Sequence, residues 1–174
     1  LDKEASYEIE KSEKDPEFSG NYIENFAKKD SKDQFAGAYQ SWDKVGNKYL
    51  FHNEFSSLEL TVVSHDILKF RYGNFGYFED DFSYGIDPKL EIESISTEFR
   101  ERGDYFNVIT KNIKCYIYKD TLKTKICDIL GNVILEDEKG YHWQDEKMFG
   151  GNIVISTKKL RKNENFFGLG DKTG

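Results

Sequence analysis

Five groups of side chains have types that could carry chemistry. The densest acids are Glu79, Asp80 and Asp81, with Asp87 close behind. Clustered carboxylates suit a divalent cation or an acid/base pair, but calcium loops place their ligands at defined spacing around a central glycine, which this run lacks. Neighbouring residues on a strand point to opposite faces, so a catalytic pair is poorly served as well. A solvated acidic loop is the expectation. His52, His65 and His142 are the only histidines, and no paired spacing among them suits zinc. Cys115 and Cys127 lie far from CxxC spacing and are too few for a disulfide framework, so both read as small buried or half-buried residues. Lys158, Lys159, Arg161 and Lys162 form the densest basic run. A solvated loop or strand edge is its plain reading, an anionic contact the lesser one. The last group is aromatic: Phe70, Tyr72, Phe75, Tyr77, Phe78, Phe82 and Tyr84. Aromatic faces stack on sugar C–H surfaces, so an accessory carbohydrate-binding role stands beside the plainer reading of core and interdomain packing. Trp42 and Trp143 pose the same choice, with core or interface favoured.

The elements that would position these groups read as β-structure. Leu58, Leu60 and Val62 alternate with Glu59, Thr61 and Val63, the mark of a strand with one drier face. His65-Asp66 reads as a turn and Ile67–Tyr72 as the return strand. Further strands are expected at Ser94–Phe99, Tyr105–Thr110 and Ile113–Tyr118. In the last, Ile113, Cys115 and Ile117 share a face; Lys119-Asp120 makes the turn and Leu122–Asp128 returns. That turn sets Cys115 opposite Thr124, so no bridge to Cys127 is suggested. Asp128–Leu135 reads as strand, Gly-Asn turn and strand. Residues 136–140 read as a charged loop ending in Gly140, and Asn152–Leu160 as one more strand. Residues 1–40 form a polar leader, partly helical or loosely ordered, with Tyr22, Ile23 and Phe26 at helical spacing near residues 21–28. Short, regularly spaced strands with few prolines make residues 41–174 an antiparallel sandwich or barrel.

Composition narrows the function classes. Aromatic residues make up 16% of the 174, enough large apolar surface for a real core, while 33% charged residues solvate the exterior. A formal net charge of −7 disfavours nucleic acid as a partner. No apolar run approaches the roughly 20 residues that cross a bilayer, so no membrane partner is expected either. The chain begins at Leu1, so its native start is expected upstream and a missing signal peptide carries no information. No Asn-x-Ser/Thr sequon occurs, which disfavours a glycosylated exoprotein. The compartment stays open, the cytoplasm slightly ahead of periplasm or secretion.

The last segment is the most specific. Glu164-Asn165-Phe166-Phe167-Gly168-Leu169-Gly170-Asp171-Lys172 resembles the E-x-F-[FY]-G-L-G-[ED]-[KR] signature of family 31 glycoside hydrolases. Leu58–Tyr72 is similar to that family's early β-hairpin, and Val108–Asp137 to its later I-x-D-x-x-G-x-V-L-x-E-D run. Together the three pieces cover about residues 45–174. Asp171 separates Gly170 from Lys172, so a phosphate-binding loop does not fit, and no βαβ unit surrounds the glycines. Gly168 and Gly170 permit close backbone approach or positive φ, while Phe166 and Phe167 anchor the strand.

The resemblance implies an all-β galactose mutarotase-like supersandwich, the N-terminal domain of a retaining α-glucosidase. In such enzymes Phe166–Lys172 would form a strand leading to a loop over the active site of the next domain. Hydrolysis with retention needs two carboxyl groups about 5–5.5 Å apart. The family carries both on a (β/α)8 barrel beyond the position of Gly174, so no catalytic, cofactor or metal residue is carried over. The expected partners are that barrel, in the same polypeptide, and the α-glucoside oligosaccharides of the parent enzyme. The parent would be an O-glycosyl hydrolase; this chain alone would not. True mutarotases use histidines with a glutamate, yet the three histidines here match no such motif. An independent carbohydrate-binding module is the alternative.

Overall fold

Alternating apolar side chains drive the chain into two antiparallel sheets, because a pleated strand presents successive residues to opposite faces. The computed structural model describes residues 32–81, 94–146, 151–162 and 164. The chain divides into two compact units, Leu1–Asp33 with Gln144–Ile153, and Gln34–Trp143 with Val154–Gly174. In the first, the Gln144 amide donates to Asp33 Oδ1 at 2.7 Å.

The second unit holds most of both sheets, and the strand residues within Gln144–Ile153 fall in the first. One runs β1 (Tyr39–Val45), β2 (Lys48–Asn53), β3 (Ser56–Val62) and β4 (Leu68–Asn74) in sequence order. The other contains β5 (Glu98–Glu101), β6 (Tyr105–Ile109), β7 (Ile113–Tyr118), β8 (Thr124–Asp128), β9 (Val133–Glu146) and β10 (Gly151–Lys158), again each beside its predecessor. No helix occurs among the described residues, and the expected all-β sandwich is what forms. The segment near residues 21–28 lies outside them.

Tyr49, Phe51, Leu58, Leu60 and Val62 from the first sheet meet Phe106, Val108, Cys115 and Ile117 from the second in one buried cluster. Phe51 and Phe106 touch at 4.9 Å between ring centroids, and Trp42 packs on Phe99 at 4.3 Å. Each fully buried aromatic of this kind stabilises the fold by about 1.5–3 kcal/mol. Both ends of the sandwich are stitched by hydrogen bonds. At one, the buried Asn53 amide donates to Gly37 O at 2.8 Å and Lys119 O at 2.6 Å. At the other, Thr110 Oγ1 donates to His65 O at 2.7 Å and Asn112 Nδ2 to Asp66 Oδ1 at 2.8 Å.

The structure differs from the sequence expectations in five places. β3 is buried on both faces, not one, because Glu59 and Thr61 lie between the neighbouring strands' side chains. The β7–β8 hairpin closes at Tyr118 and Lys123 around a four-residue loop with Leu122 at φ 52°, so Cys115 faces Ile126 and Ile117 faces Thr124. Both cysteines are nonetheless free. Ile129 and Leu130 belong to the β8–β9 turn rather than to a strand, since Asp128 holds the Asn132 amide at 2.8 Å across it. Ser94–Thr97 precede β5 instead of forming it. Finally, residues 136–140 are no loop: their acids pair with lysines at the end of β10, which lets β9 run through.

Candidate functional site

Carboxylates come first, since hydrolysis would need two of them converging. Asp137, on β9, has its side chain only 1% exposed. Its Oδ2 accepts from Thr124 N at 2.7 Å and Thr124 Oγ1 at 2.9 Å, and Lys158 binds Oδ1. Glu59, in the other sheet, lies 3.5 Å from Lys48 and 3.4 Å from Arg71. Glu101 takes Lys119 at 2.7 Å and the Trp42 indole at 3.3 Å. A hydrogen bond from Lys119 holds its carboxyl below the usual range. The acidic run is exposed and lies outside the strands, as a solvated loop would, with one of its acids anchored. Asp81 binds Lys69, whose hydrogen bond lowers its pKa, and Arg71 donates to the Glu79 carbonyl while lying over the Phe78 ring. Asp87 lies outside the described residues. These four acids are each occupied by a cation of their own, an arrangement that braces strands and leaves no pair poised for acid/base work. No group of three or more His, Cys, Asp or Glu could hold a metal ion among the described residues.

The histidines are scattered. His52 shares a 2.9 Å hydrogen bond with Ser57 Oγ, His65 sits in the β3–β4 turn, and buried His142 donates from Nδ1 to Gly140 O at 3.1 Å and stacks on Phe35. Burial pushes the Cys115 thiol well above its ordinary range, with the Asp137 charge adding to it. The basic run is engaged at β10 and just past it: Lys158 with Asp137, Lys159 with Glu136, and Arg161 with Glu164 and the Val133 and Ile134 carbonyls. No helix among the described residues is long and apolar enough to cross a membrane.

Aromatic side chains divide sharply. Phe70 packs against the core, and Tyr72 stacks on Tyr141 at 4.4 Å and 3°, its hydroxyl donating to Leu122 O at 3.4 Å. Trp143 is buried and Trp42 half-buried. Phe75 and Tyr77, by contrast, are 72% and 67% exposed, and Phe55 beside them is 40% exposed. The turn after β4 explains this. Phe75 and Gly76 both have positive φ, 51° and 75°, and Tyr77 N donates to Asn74 O at 3.0 Å, the pattern of a type I′ turn. Phe75 N also donates to Phe55 O at 2.8 Å, and the two rings meet edge to face at 6.2 Å and 73°. Two glycines make room. A Cβ on Gly37 would lie 2.8 Å from Phe55 Cδ2, and one on Gly73 would overlap the Tyr77 carbonyl oxygen. Phe55 was no candidate in the sequence, because nothing linear joins the β2–β3 turn to Asn74-Phe75-Gly76. Phe82, Tyr84 and the segment Phe166, Phe167, Gly168, Leu169, Gly170, Asp171, Lys172 lie outside the described residues.

Known structures share this sandwich. A GH31 dextranase from Flavobacterium johnsoniae, complexed with isomaltotriose, superposes with TM-score 0.60 at 21% identity over 81% of this chain. The same enzyme complexed with glucose gives 0.59. The cycloalternan-forming enzyme of Listeria monocytogenes, in complex with a pentasaccharide substrate, gives 0.52 at 12% identity over 66% of this chain. The chain spans 17% of the dextranase's length and 11% of the Listeria enzyme's. Among curated proteins none matches it in sequence. Residues 57–174, which run from β3 through the glycine-rich segment, match the family described as the glycosyl hydrolase 31 N-terminal galactose mutarotase-like domain. This chain belongs to that family.

Proposed function

We propose that the chain is the non-catalytic N-terminal domain of a retaining α-glucosidase, bracing a (β/α)8 barrel and helping to wall its substrate entrance. The family match over residues 57–174 is the observation that carries this reading. The ion pairs of Asp137, Glu59, Glu101 and Asp81 brace neighbouring strands, which suits a supporting domain. Residues 1–40 would be a leader and 41–174 the domain proper. Phe166–Lys172 would carry the chain from the sandwich toward the loop over the active site. The parent polypeptide would hydrolyse terminal α-glucosidic bonds.

The test is direct. The 174-residue chain should release no glucose from maltose or isomaltotriose, while the parent polypeptide containing it releases glucose with retained anomeric configuration by NMR. Turnover by the chain alone would overturn the proposal. The exposure of Phe75 and Tyr77 favours one second reading, an independent carbohydrate-binding module. Calorimetric titration of the chain with maltooligosaccharides separates the two, saturable heat supporting the module and its absence the bracing role.

A further inference from the structure

Polar side chains close the core where β2 turns into β3. His52 and Ser57 are the last pair these strands share in register, so Asn53 and Ser56 follow as the next facing pair. Each stands two residues from a core side chain, Phe51 and Leu58, and therefore on the inner face. Tyr39 lies beside Asn53 on β1, and Asn74 beside Ser56 on β4, which completes a polar row across the sheet. Burial there is nearly total: Asn53 is 5% exposed and Ser56 0%. Yet Asn53 Oδ1 and Ser56 Oγ meet no hydrogen-bond partner among the described residues.

A buried polar atom that has given up water and gained no partner is destabilising, and here two face each other. The backbone around them is held on three sides. Glu54 N donates to Ala38 O and Phe55 N to Ala36 O, both at 2.9 Å, and Phe75 N donates to Phe55 O at 2.8 Å. The Asn53 amide is fixed as well, since Nδ2 donates to Gly37 O and Lys119 O, and swinging Oδ1 toward another donor would break both bonds. We infer that one water molecule is an integral part of the sandwich at this point, accepting from the Ser56 hydroxyl and donating to Asn53 Oδ1. Facing side chains on paired strands stand about 4.5–5.5 Å apart at Cβ, a spacing that two hydrogen bonds through one water span. A buried water typically makes about three hydrogen bonds, and Asn74, next in the row, carries an Nδ2 donor for the third. Size and charge select water over other ligands. No carboxylate belongs to the row, so a divalent cation would lack its counter-charge. An organic ligand would need an open approach, which two anchors this buried do not offer. The site belongs to the sandwich itself and stands apart from the bracing role proposed above.

Crystallography of the 174-residue chain at high resolution tests this directly. Density for a single water should lie about 2.7–3.2 Å from both Asn53 Oδ1 and Ser56 Oγ. A direct hydrogen bond between those two atoms, or a dry gap between them, would overturn the inference. Thermal melting of Ser56→Ala gives a second reading with a decisive sign. If the hydroxyl anchors a water, its loss leaves Asn53 Oδ1 and the water short of a partner, and the melting temperature should fall. If the hydroxyl is an unpaired group in a dry core, its removal relieves a cost, and the melting temperature should hold or rise. The second result would also overturn the inference.

Discussion

Asp137 is a buried side chain whose hydrogen-bond and ion-pair partners, Thr124 and Lys158, both stand on neighbouring strands. Three strands meet through it: β9 supplies the carboxylate, β8 the Thr124 amide and hydroxyl, β10 the Lys158 ammonium. Removing it leaves two buried Thr124 donors unpaired and Lys158 without its counter-charge. Asp137→Ala should therefore cost about 3 kcal/mol, read as a lower urea midpoint at unchanged slope. Tyr72 and Cys115 lie close enough for that charge to be felt. Burial first, then the charge of Asp137, raises both groups above their ordinary values of 10.0 and 9.0. A raised folded pKa means the native state keeps a proton that the unfolded chain releases. The stability this contributes is whole below pH 9 and lost as pH rises through 9 and then 10. Urea midpoints should fall between pH 8 and 11. Tyr72→Phe should flatten the upper part of that decline and Cys115→Ala the lower part; parallel curves for all three proteins would contradict the assignment.

Among elements, the strands legible in the sequence are those whose packing repeats every second residue. Leu58, Leu60 and Val62, or Ile113, Cys115 and Ile117, announce themselves because apolar side chains recur at every second position of one strand. β1 was not legible. As the edge of its sheet it is mostly exposed and carries the polar sequence that discourages edge-to-edge pairing. The acidic stretch of β9 reads as a loop in the sequence because its partners, Lys158 and Lys159, lie about two dozen residues away in the chain yet alongside it in the sheet. The exposed Phe55–Phe75 pair is hidden for the same reason: it exists only once Ser56 pairs with Asn74 and brings two turns together. Glycines at these turns differ in kind. Gly46 has φ 59° with open space around it, so Gly46→Ala should cost about 1 kcal/mol through backbone strain alone. Gly73 lies under the Tyr77 carbonyl, which no side-chain adjustment can move. Gly73→Ala should cost about 3 kcal/mol and displace the turn. Equal melting temperatures for the two variants would show that the turn adapts freely.

At the scale of the whole molecule, apolar surface and net charge oppose each other. Phe55, Phe75 and Tyr77 expose rings on turns at one end of the strands, and Ile67 and Leu130 expose aliphatic turn tips. Water pays for such surface by favouring its burial against any matching surface, including a second copy of the chain. A net charge of −7 repels that second copy while salt is low. Screening shortens the reach of repulsion to about 10 Å at 0.1 M and about 3 Å at 1 M salt, without weakening apolar contact. Sedimentation of the 174-residue chain should accordingly show monomer at low salt and growing self-association as salt is raised. Phe75→Asn should reduce that association, because it removes the most exposed ring among the described residues without disturbing the turn. Association driven by ion pairs between copies would follow the reverse order, strongest at low salt. Finding that order would mean the exposed rings are too dispersed to form one adhesive face.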